Sequence, residues 1–339
     1  MKQFATAART LLRHLLLALL LLASLGGFTQ VTALTTATAP SGNMMDVYFL
    51  DVAQGNCVLI KLPNGKFMLY DAGSTSSKID KNVVAGRIRT ITGGAQISTV
   101  FLSHADADHI NILPYITEAA KPTFVHISGQ KSDYEDVLDS WIKNLPKNTT
   151  WVTYGPNYSS TKPSSNIDGD PMVNVYVMAA NVTGDANTQS LVISLDYGKN
   201  NALLTGDATQ TTENFILSQW ASSAVAATIF SFGHHGSNHS SSPQFITAVN
   251  PNIGVFSASA EHMGYGHPRC ELLNYVQGYV DANGKNGVTI QSHQIDCWRS
   301  DLGNYVFEHN DLGVFLTATQ GDIRFRCDGV NYMVEVSRL

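Results

Sequence analysis

The sequence predicts a single-domain α/β protein built from two mixed β-sheets packed together and flanked by helices. From Met45 onward, short apolar strand-like runs alternate with helix-like stretches to the end of the 339 residues. No composition break divides that stretch in two. No period of about 20–50 residues recurs, which argues against a solenoid or propeller. Hydrophobic residues make up 44% of the chain and charged residues only 14%, against roughly 25% charged in an average domain. That is enough apolar material for a sizeable core, so wholesale disorder is excluded.

Residues 1–33 read as a secretory signal peptide. Lys2, Arg9 and Arg13 precede an apolar run from Leu15 to Phe28, and Val31-Thr32-Ala33 offers small residues for cleavage. A membrane span needs roughly 20 apolar residues, more than this run contains. Cleavage removes three cations and no acid, so the formal charge moves from −6 to −9. The expected mature chain is secreted or periplasmic and has no integral membrane span. Its net charge argues against gripping nucleic acid by an overall field. Residues 34–44 are small and polar and read as a flexible lead-in, and 45–339 as the folded domain.

Strand-like runs follow at 46–52, 57–62 and 66–72, with Asn64-Gly65 as a hairpin signal between the last two. A helix is expected over 82–91 and a strand over 99–103, ending at His104, with a helical run at 110–119. Further strands are read at 123–128, 151–154, 173–180, 190–195, 202–205, 228–232 and 253–256. Helices are expected at 134–144, 210–221, 243–249 and 270–279. The Gly/Pro/Ser/Asn-rich segment 155–171 reads as a surface loop. The tail from Val288 is mostly strand and closes in a hairpin turned at Asp328-Gly329.

Cys57, Cys270, Cys297 and Cys327 would meet an oxidising compartment after export. No Cys-x-x-Cys occurs, which excludes a zinc ribbon or finger. Three connectivities remain open. Cys297 and Cys327 share the strand-rich C-terminal stretch and are the favoured pair, with four buried free thiols as the alternative.

The chemistry concentrates in Ser103-His104-Ala105-Asp106-Ala107-Asp108-His109, where four metal-capable side chains follow an apolar strand. A loop at a strand end can turn such side chains toward one point, whereas a regular strand or helix splays them. Asp71, Asp207, the pair His234-His235 and His267 also follow strand-like runs. Polar groups set repeatedly at strand ends build a site on one edge of a scaffold. His126 lies inside a strand and reads as structural, and His239 as surface. His262 is a candidate pocket residue, while His293 and His309 show no partner pattern. Trp141, Trp151, Trp220 and Trp298 read as packing residues.

Taken together, these segments resemble the metallo-β-lactamase superfamily, and within it the hydrolase domain of ComEC-type DNA-uptake competence proteins. The resemblance is carried by Phe49-Leu50-Asp51-Val52-Ala53-Gln54-Gly55-Asn56, Tyr70-Asp71-Ala72-Gly73, the His104–His109 motif and Ser190-Leu191-Val192. It continues in Leu204-Thr205-Gly206-Asp207, Gly233-His234-His235-Gly236-Ser237 and Tyr265-Gly266-His267-Pro268. It implies an αββα sandwich and two divalent ions, Zn²⁺ or Mn²⁺. His104 and Asp106 would hold the first ion, Asp108, His109 and His267 the second, and Asp207 would bridge both. Asp71 would orient the histidine motif, and Asp108 could also orient the attacking water. His234 and His235 would lie near the phosphoryl oxygen, with contact of one of them to a metal left open.

Three departures bear on function. Asp106 stands where β-lactamases carry a second histidine, no histidine lies between His126 and His234, and Ala53 and Asn56 replace the usual Gly and Asp. The first metal position is therefore oxygen-rich, which suits Mn²⁺ as well as Zn²⁺. The missing imidazole makes β-lactam hydrolysis a poor expectation. The expected function is a stand-alone exported phosphodiesterase or nuclease, with Lys121, Lys131, Lys143, Lys147 and Lys162 as the candidate basic patch. The alternatives are hydrolysis of a phosphorylcholine-type ester on a cell-wall or surface polymer, and a non-catalytic binding module on the same scaffold.

Overall fold

Successive side chains leave a strand on opposite faces, so strands buried on both sides must serve two cores at once. The computed structural model describes residues 30–35, 38–163, 170–259, 264–282, 284, 285 and 288–338. The strands of the first half are β1 (Gln30–Thr35), β2 (Met45–Phe49), β3 (Cys57–Lys61), β4 (Phe67–Ala72), β5 (Ile97–Leu102), β6 (Phe124–Ser128) and β7 (Thr150–Tyr154). Next come β8 (Val173–Ala179), β9 (Val192–Tyr197), β10 (Asn200–Leu204), β11 (Ile229–Ser231) and β12 (Ile253–Phe256). The last are β13 (His293–Arg299), β14 (Asn304–Asn310), β15 (Val314–Leu316), β16 (Ile323–Cys327) and β17 (Tyr332–Val336). One sheet has the order β1-β17-β16-β2-β3-β4-β5-β6-β7 and the other β15-β12-β11-β10-β9-β8. Both are mixed: β4, β5, β6 and β7 run parallel, as do β10, β11, β12 and β15, while the remaining pairs are antiparallel.

The sheets meet on one shared core. Val47, Phe49, Val58 and Ile60 of the first pack with Val175, Ile193, Leu204 and Val255 of the second. The opposite faces bury Tyr48, Leu59, Val100 and Ile127 beneath helices α1 (Lys81–Thr92), α2 (Ala107–Ile110) and α3 (Glu135–Asn144). On the far side, Leu203, Phe230 and Phe256 lie beneath α4 (Gln210–Gln219), α5 (Pro243–Val249) and α6 (Cys270–Val276). This is the αββα sandwich expected. Among the described residues, no helix is long and apolar enough to cross a membrane.

Several elements differ from the sequence reading. The helical run expected at 110–119 is α2 followed by two 3₁₀ turns, Leu113–Tyr115 and Thr117–Ala119. Pro114 lacks the N–H that a continuous helix would require there. In the tail, Thr317–Gln320 is a helical turn, and β13 and β14 form a separate two-stranded sheet. β1 pairs with β17 across the expected cleavage point and takes in the first two residues of the segment read as a lead-in. Residues 1–29, loop residues 164–169 and His262 lie outside the described residues.

The cysteine pairing also differs. Cys270 is bonded to Cys297, whereas Cys57 and Cys327 are buried free thiols, and burial pushes each up to about 12. Cys327 belongs to β16 inside the first sheet, while the β13–β14 hairpin leaves the sheets and turns its Cys297 toward the start of α6. Sharing a strand-rich stretch does not place two cysteines in one layer. Thiol titration of the denatured, unreduced protein should therefore give two thiols per chain, rising to four after reduction. Four before reduction would contradict this pairing.

Candidate metal centre

Parallel strands deliver their C-terminal ends to the same edge of a sheet, where α/β proteins place their ligands. Asp71 comes from the end of β4, His104 and His109 from the loop and turn after β5, Asp207 from beyond β10, and His234 and His235 from beyond β11. The loop after β5 is held by close backbone crossings. A Cβ on Gly73 would lie 2.3 Å from the Asp108 carbonyl carbon, and one on Gly55 would lie 2.7 Å from the Asp108 oxygen. Asn56 N–H donates to that same oxygen at 2.9 Å. Only glycine at both positions lets three chain segments meet there.

Asp71 is fully buried and has φ +56°. Its carboxylate accepts four hydrogen bonds: from Ser103 N–H and Ser103 Oγ at 2.7 Å each, from His109 Nδ1 at 2.8 Å, and from Asn56 Nδ2 at 3.0 Å. Ser103 Oγ lies 3.0 Å from His104 Nδ1 and accepts from it while donating to Asp71. One buried carboxylate thus fixes the Nδ1–H tautomer of both histidines and turns both Nε2 lone pairs the other way.

Those lone pairs meet the second half of the site. His234 and His235 have φ 48° and 56°, a left-handed conformation that costs non-glycine residues roughly 1–2 kcal/mol each. The turn is held by His234 N–H donating to the Gly206 carbonyl at 3.1 Å and Ser237 N–H donating to the His234 carbonyl at 2.9 Å. His235 Nδ1–H donates to the Ser257 carbonyl at 2.6 Å, so its Nε2 is the nitrogen turned toward the cluster. That Nε2 lies 3.3 Å from His109 Nε2 and 3.5 Å from both Asp108 Oδ2 and Asp207 Oδ1. Asp207 Oδ1 lies 3.1 Å from His109 Nε2, and Oδ2 lies 3.7 Å from His234 Nε2. The Asp207 backbone N–H donates to Ser190 Oγ at 3.1 Å.

Two groups of donor atoms therefore converge, each within 4.8 Å: His104, His109 and Asp207, and Asp108, His109 and His235. Asp106 is half-exposed beside the first group, with its Oδ2 3.6 Å from His104 Nε2. His267, expected beside Asp108 and His109, instead neighbours His234 at 5.7 Å between ring centroids. His235 occupies that position because the Ser257 carbonyl and the left-handed turn aim its ring there. Sequence reasoning named Asn56 and the segment containing Ser103 but not their bonds to Asp71, and missed the Ser257 carbonyl and Glu213. The Glu213 carboxylate accepts from the Ser241 and Ser242 amides and holds the loop after the paired histidines. Only proximity in the fold reveals these contacts.

The other readings are settled individually. His126 is structural: its Nδ1 lies 2.8 Å from Tyr154 Oη and its ring stacks on Phe101, with burial lowering it to about 4. His239 is exposed. His293, which showed no pattern, is buried with Nδ1 and Nε2 against the carbonyls of Gln291 and Val314. Lys143 pairs with Asp139, and Lys131 lies over the Trp151 ring near the β7 edge.

Electrostatics and orphaned atoms test the fit to a cation. Burial alone would raise Asp207, but His109 and His235 hold it well below the carboxylate range. Burial opposes ionisation of Asp108 too, yet His235 and His109, each raised against its own burial by the neighbouring carboxylates, bring it to about 2. Burial lowers His234, and it takes His267 down to about 3. His104 Nε2 and Asp207 Oδ1 are buried without an aligned hydrogen bond, as are His234 Nδ1 and His267 Nδ1. The clustered carboxylates call for positive charge among them, which protons on His109 and His235 supply and a metal can replace, and the mixed N/O set suits a divalent metal. A cavity of about 290 Å³ opens beside His104, lined in part by Ala105, Ser128, Asp133, Tyr134 and Gln189.

Recombination protein 2 of Haemophilus influenzae is 29% identical over 236 residues, covering 69% of this chain and 26% of that protein. Competence protein ComA of Neisseria gonorrhoeae is 26% identical over 233 residues, covering 68% and 29%. ComE operon protein 3 of Bacillus subtilis is 23% identical over 247 residues, covering 68% and 30%. The chain thus spans under a third of the length of these curated relatives. Among solved structures, the metallo-beta-lactamase fold protein YhfI from Bacillus subtilis aligns with a TM-score of 0.45 at 10% identity, covering 83% of this chain and 99% of that one. The family model described as the metallo-beta-lactamase superfamily matches residues 50–259. The chain belongs to the metallo-β-lactamase superfamily, with homologues among competence proteins of the ComEC-type branch.

Proposed function

We propose that this chain is an exported metal-dependent phosphodiesterase with a dinuclear centre. The observation that carries the reading is the pair of converging donor groups, which share His109 and are brought together by Asp207 of the first group, 3.5 Å from His235 of the second. Two divalent cations bound there would supply Lewis-acid polarisation of a phosphoryl oxygen and a bound water of lowered pKa. His104, Asp106 and Asp207 form one candidate ligand set, and Asp108, His109, His235 and Asp207 the other. Asp71 holds the Nδ1 proton of His109 directly and that of His104 through Ser103, which leaves Nε2 as the nitrogen each ring would offer a cation and makes that nitrogen more basic. His234 stays neutral and is the candidate hydrogen-bond donor to a phosphoryl oxygen. Its Nε2 faces Asp207 at 3.7 Å, and its Nδ1 is unpartnered.

Nucleic acid is the first substrate class for this reading, supported by the competence-protein relatives. A second reading is a phosphorylcholine-type ester on a surface polymer. It is favoured by the cavity beside His104, whose lining includes Asp133 and no lysine or arginine among the described residues. Bis-p-nitrophenyl phosphate, single- and double-stranded DNA, and a phosphorylcholine ester should be screened side by side. Hydrolysis of at least one, lost on chelation and restored by Zn²⁺ or Mn²⁺, is the expected result. No hydrolysis of any by metal-loaded protein would overturn the reading.

Mutations separate the roles. Asp207→Ala should abolish hydrolysis while leaving the circular dichroism of the sandwich intact. Asp71→Asn should lower metal affinity or activity by about 10–100-fold, the usual loss when a ligand's orienting partner is removed. His234→Ala should lower kcat by about 10²–10³ with metal content retained, the loss typical of one transition-state donor. His235→Ala should lose metal and activity together. Metal retention in His235→Ala, or metal loss in His234→Ala, would exchange the two assignments.

A further inference from the structure

The β13–β14 hairpin belongs to neither main sheet, yet it touches the site's outer loop at several independent points. Tyr305 Oη donates to the His267 carbonyl at 2.9 Å and reaches the Ser259 carbonyl at 3.4 Å. Trp298 N–H donates to the Pro268 carbonyl at 2.8 Å. The indole of Trp298 packs so closely on Gly266 that a Cβ there would lie 3.0 Å from it. Arg269 Nη1 donates to Ser300 Oγ at the hairpin tip at 3.2 Å, and Nη2 to the Tyr265 carbonyl at 3.3 Å. Next in sequence, Cys270 is bonded to Cys297 of β13. The hairpin's outer edge faces solvent: Phe307 is 72% exposed and Leu302 59%.

The loop held in this way supports the site from two directions. Its beginning provides the Ser257 carbonyl that fixes the ring of His235, and its end carries His267 beside His234. Arg269 N–H donates to the Gly236 carbonyl at 3.1 Å, and a Cβ on Gly236 would lie 2.7 Å from Pro268, so the loop also packs against the strained histidine turn. That turn has two adjacent non-glycine residues at positive φ, a conformation that persists only where its surroundings over-determine it. The hairpin reaches that turn through the loop, by way of Pro268 and Arg269.

We infer that the β13–β14 hairpin, anchored by the Cys270–Cys297 disulfide, is a clamp that positions His267 and the paired-histidine turn, with Tyr305 as its positioning residue at the loop. The inference rests on the phosphodiesterase reading for its activity readout only. Loss of the disulfide should free the clamp without unfolding the sheets, because neither sheet ladder includes β13 or β14 and the core shared between the sheets contains no residue of either; only Ile295 and Cys297 of β13 are buried in the far-side core. The free thiols Cys57 and Cys327 are buried elsewhere and take no part.

The test compares metal-loaded full-length wild type with Cys270→Ala/Cys297→Ala and with Tyr305→Phe, which keeps the disulfide. The first readout is hydrogen exchange at the Arg269 and Trp298 amides against amides of β3 and β10. The second is kcat/KM for bis-p-nitrophenyl phosphate, divided by metal content. The clamp predicts exchange at Arg269 and Trp298 at least tenfold faster in the double variant with sheet amides unchanged. It also predicts a tenfold or greater fall in kcat/KM, and a smaller fall of threefold or more for Tyr305→Phe. Unchanged exchange at both amides, or kcat/KM within twofold of wild type in both variants, would overturn it. If the double variant fails to fold, Tyr305→Phe decides alone on the same two readouts. If wild type hydrolyses no diester, the phosphodiesterase reading fails separately and exchange alone decides the clamp.

Discussion

The site depends on one buried carboxylate. Asp71 is removed from water and accepts four hydrogen bonds, and without them its burial would cost several kcal/mol. Its partners are not interchangeable packing. Two of them, His109 directly and His104 through Ser103, are imidazoles whose opposite nitrogens face the cluster. Satisfying Asp71 therefore determines which nitrogens can bind a cation. The strand ends, the Gly55–Gly73 crossing and the left-handed conformation at Asp71 all serve to bring those donors to one carboxylate.

A second constraint works against the first. His109, His235, Asp108 and Asp207 crowd imidazole nitrogens and carboxylates together inside a buried volume, an arrangement that costs free energy unless positive charge, protons on the imidazoles or a bound metal, lies among them. Local strain accompanies it at His234 and His235, and the rigidity of the two sheets holds it in place. Stability is given up where function requires a poised cluster, and it is recovered in the shared core between the sheets and in the two helix-covered faces.

Much of this was legible in sequence because it is local. Strands buried on both faces read as continuous apolar runs, and the Asn64-Gly65 and Asp328-Gly329 turns stand where the hairpin chemistry puts them. The ligand-rich loop after β5 was visible since its side chains follow one strand within six residues. What escaped is set by tertiary approach. Whether His235 or His267 faces Asp108 depends on the Ser257 carbonyl, and no spacing rule links positions 235 and 257. The Cys270–Cys297 bond depends on a hairpin that leaves the sheets, so strand content alone suggested the wrong partner. The helix expected at 110–119 is broken for a reason present in the sequence, Pro114.

The central claim is that the converging donors hold two cations. Its most direct test is metal stoichiometry, by mass spectrometry of the native protein and elemental analysis after stripping and reloading with Zn²⁺ or with Mn²⁺. The account predicts two ions per chain, with Asp207→Ala retaining at most one. A wild-type chain that binds no ion after reloading, or binds as many in Asp207→Ala as in wild type, would contradict it.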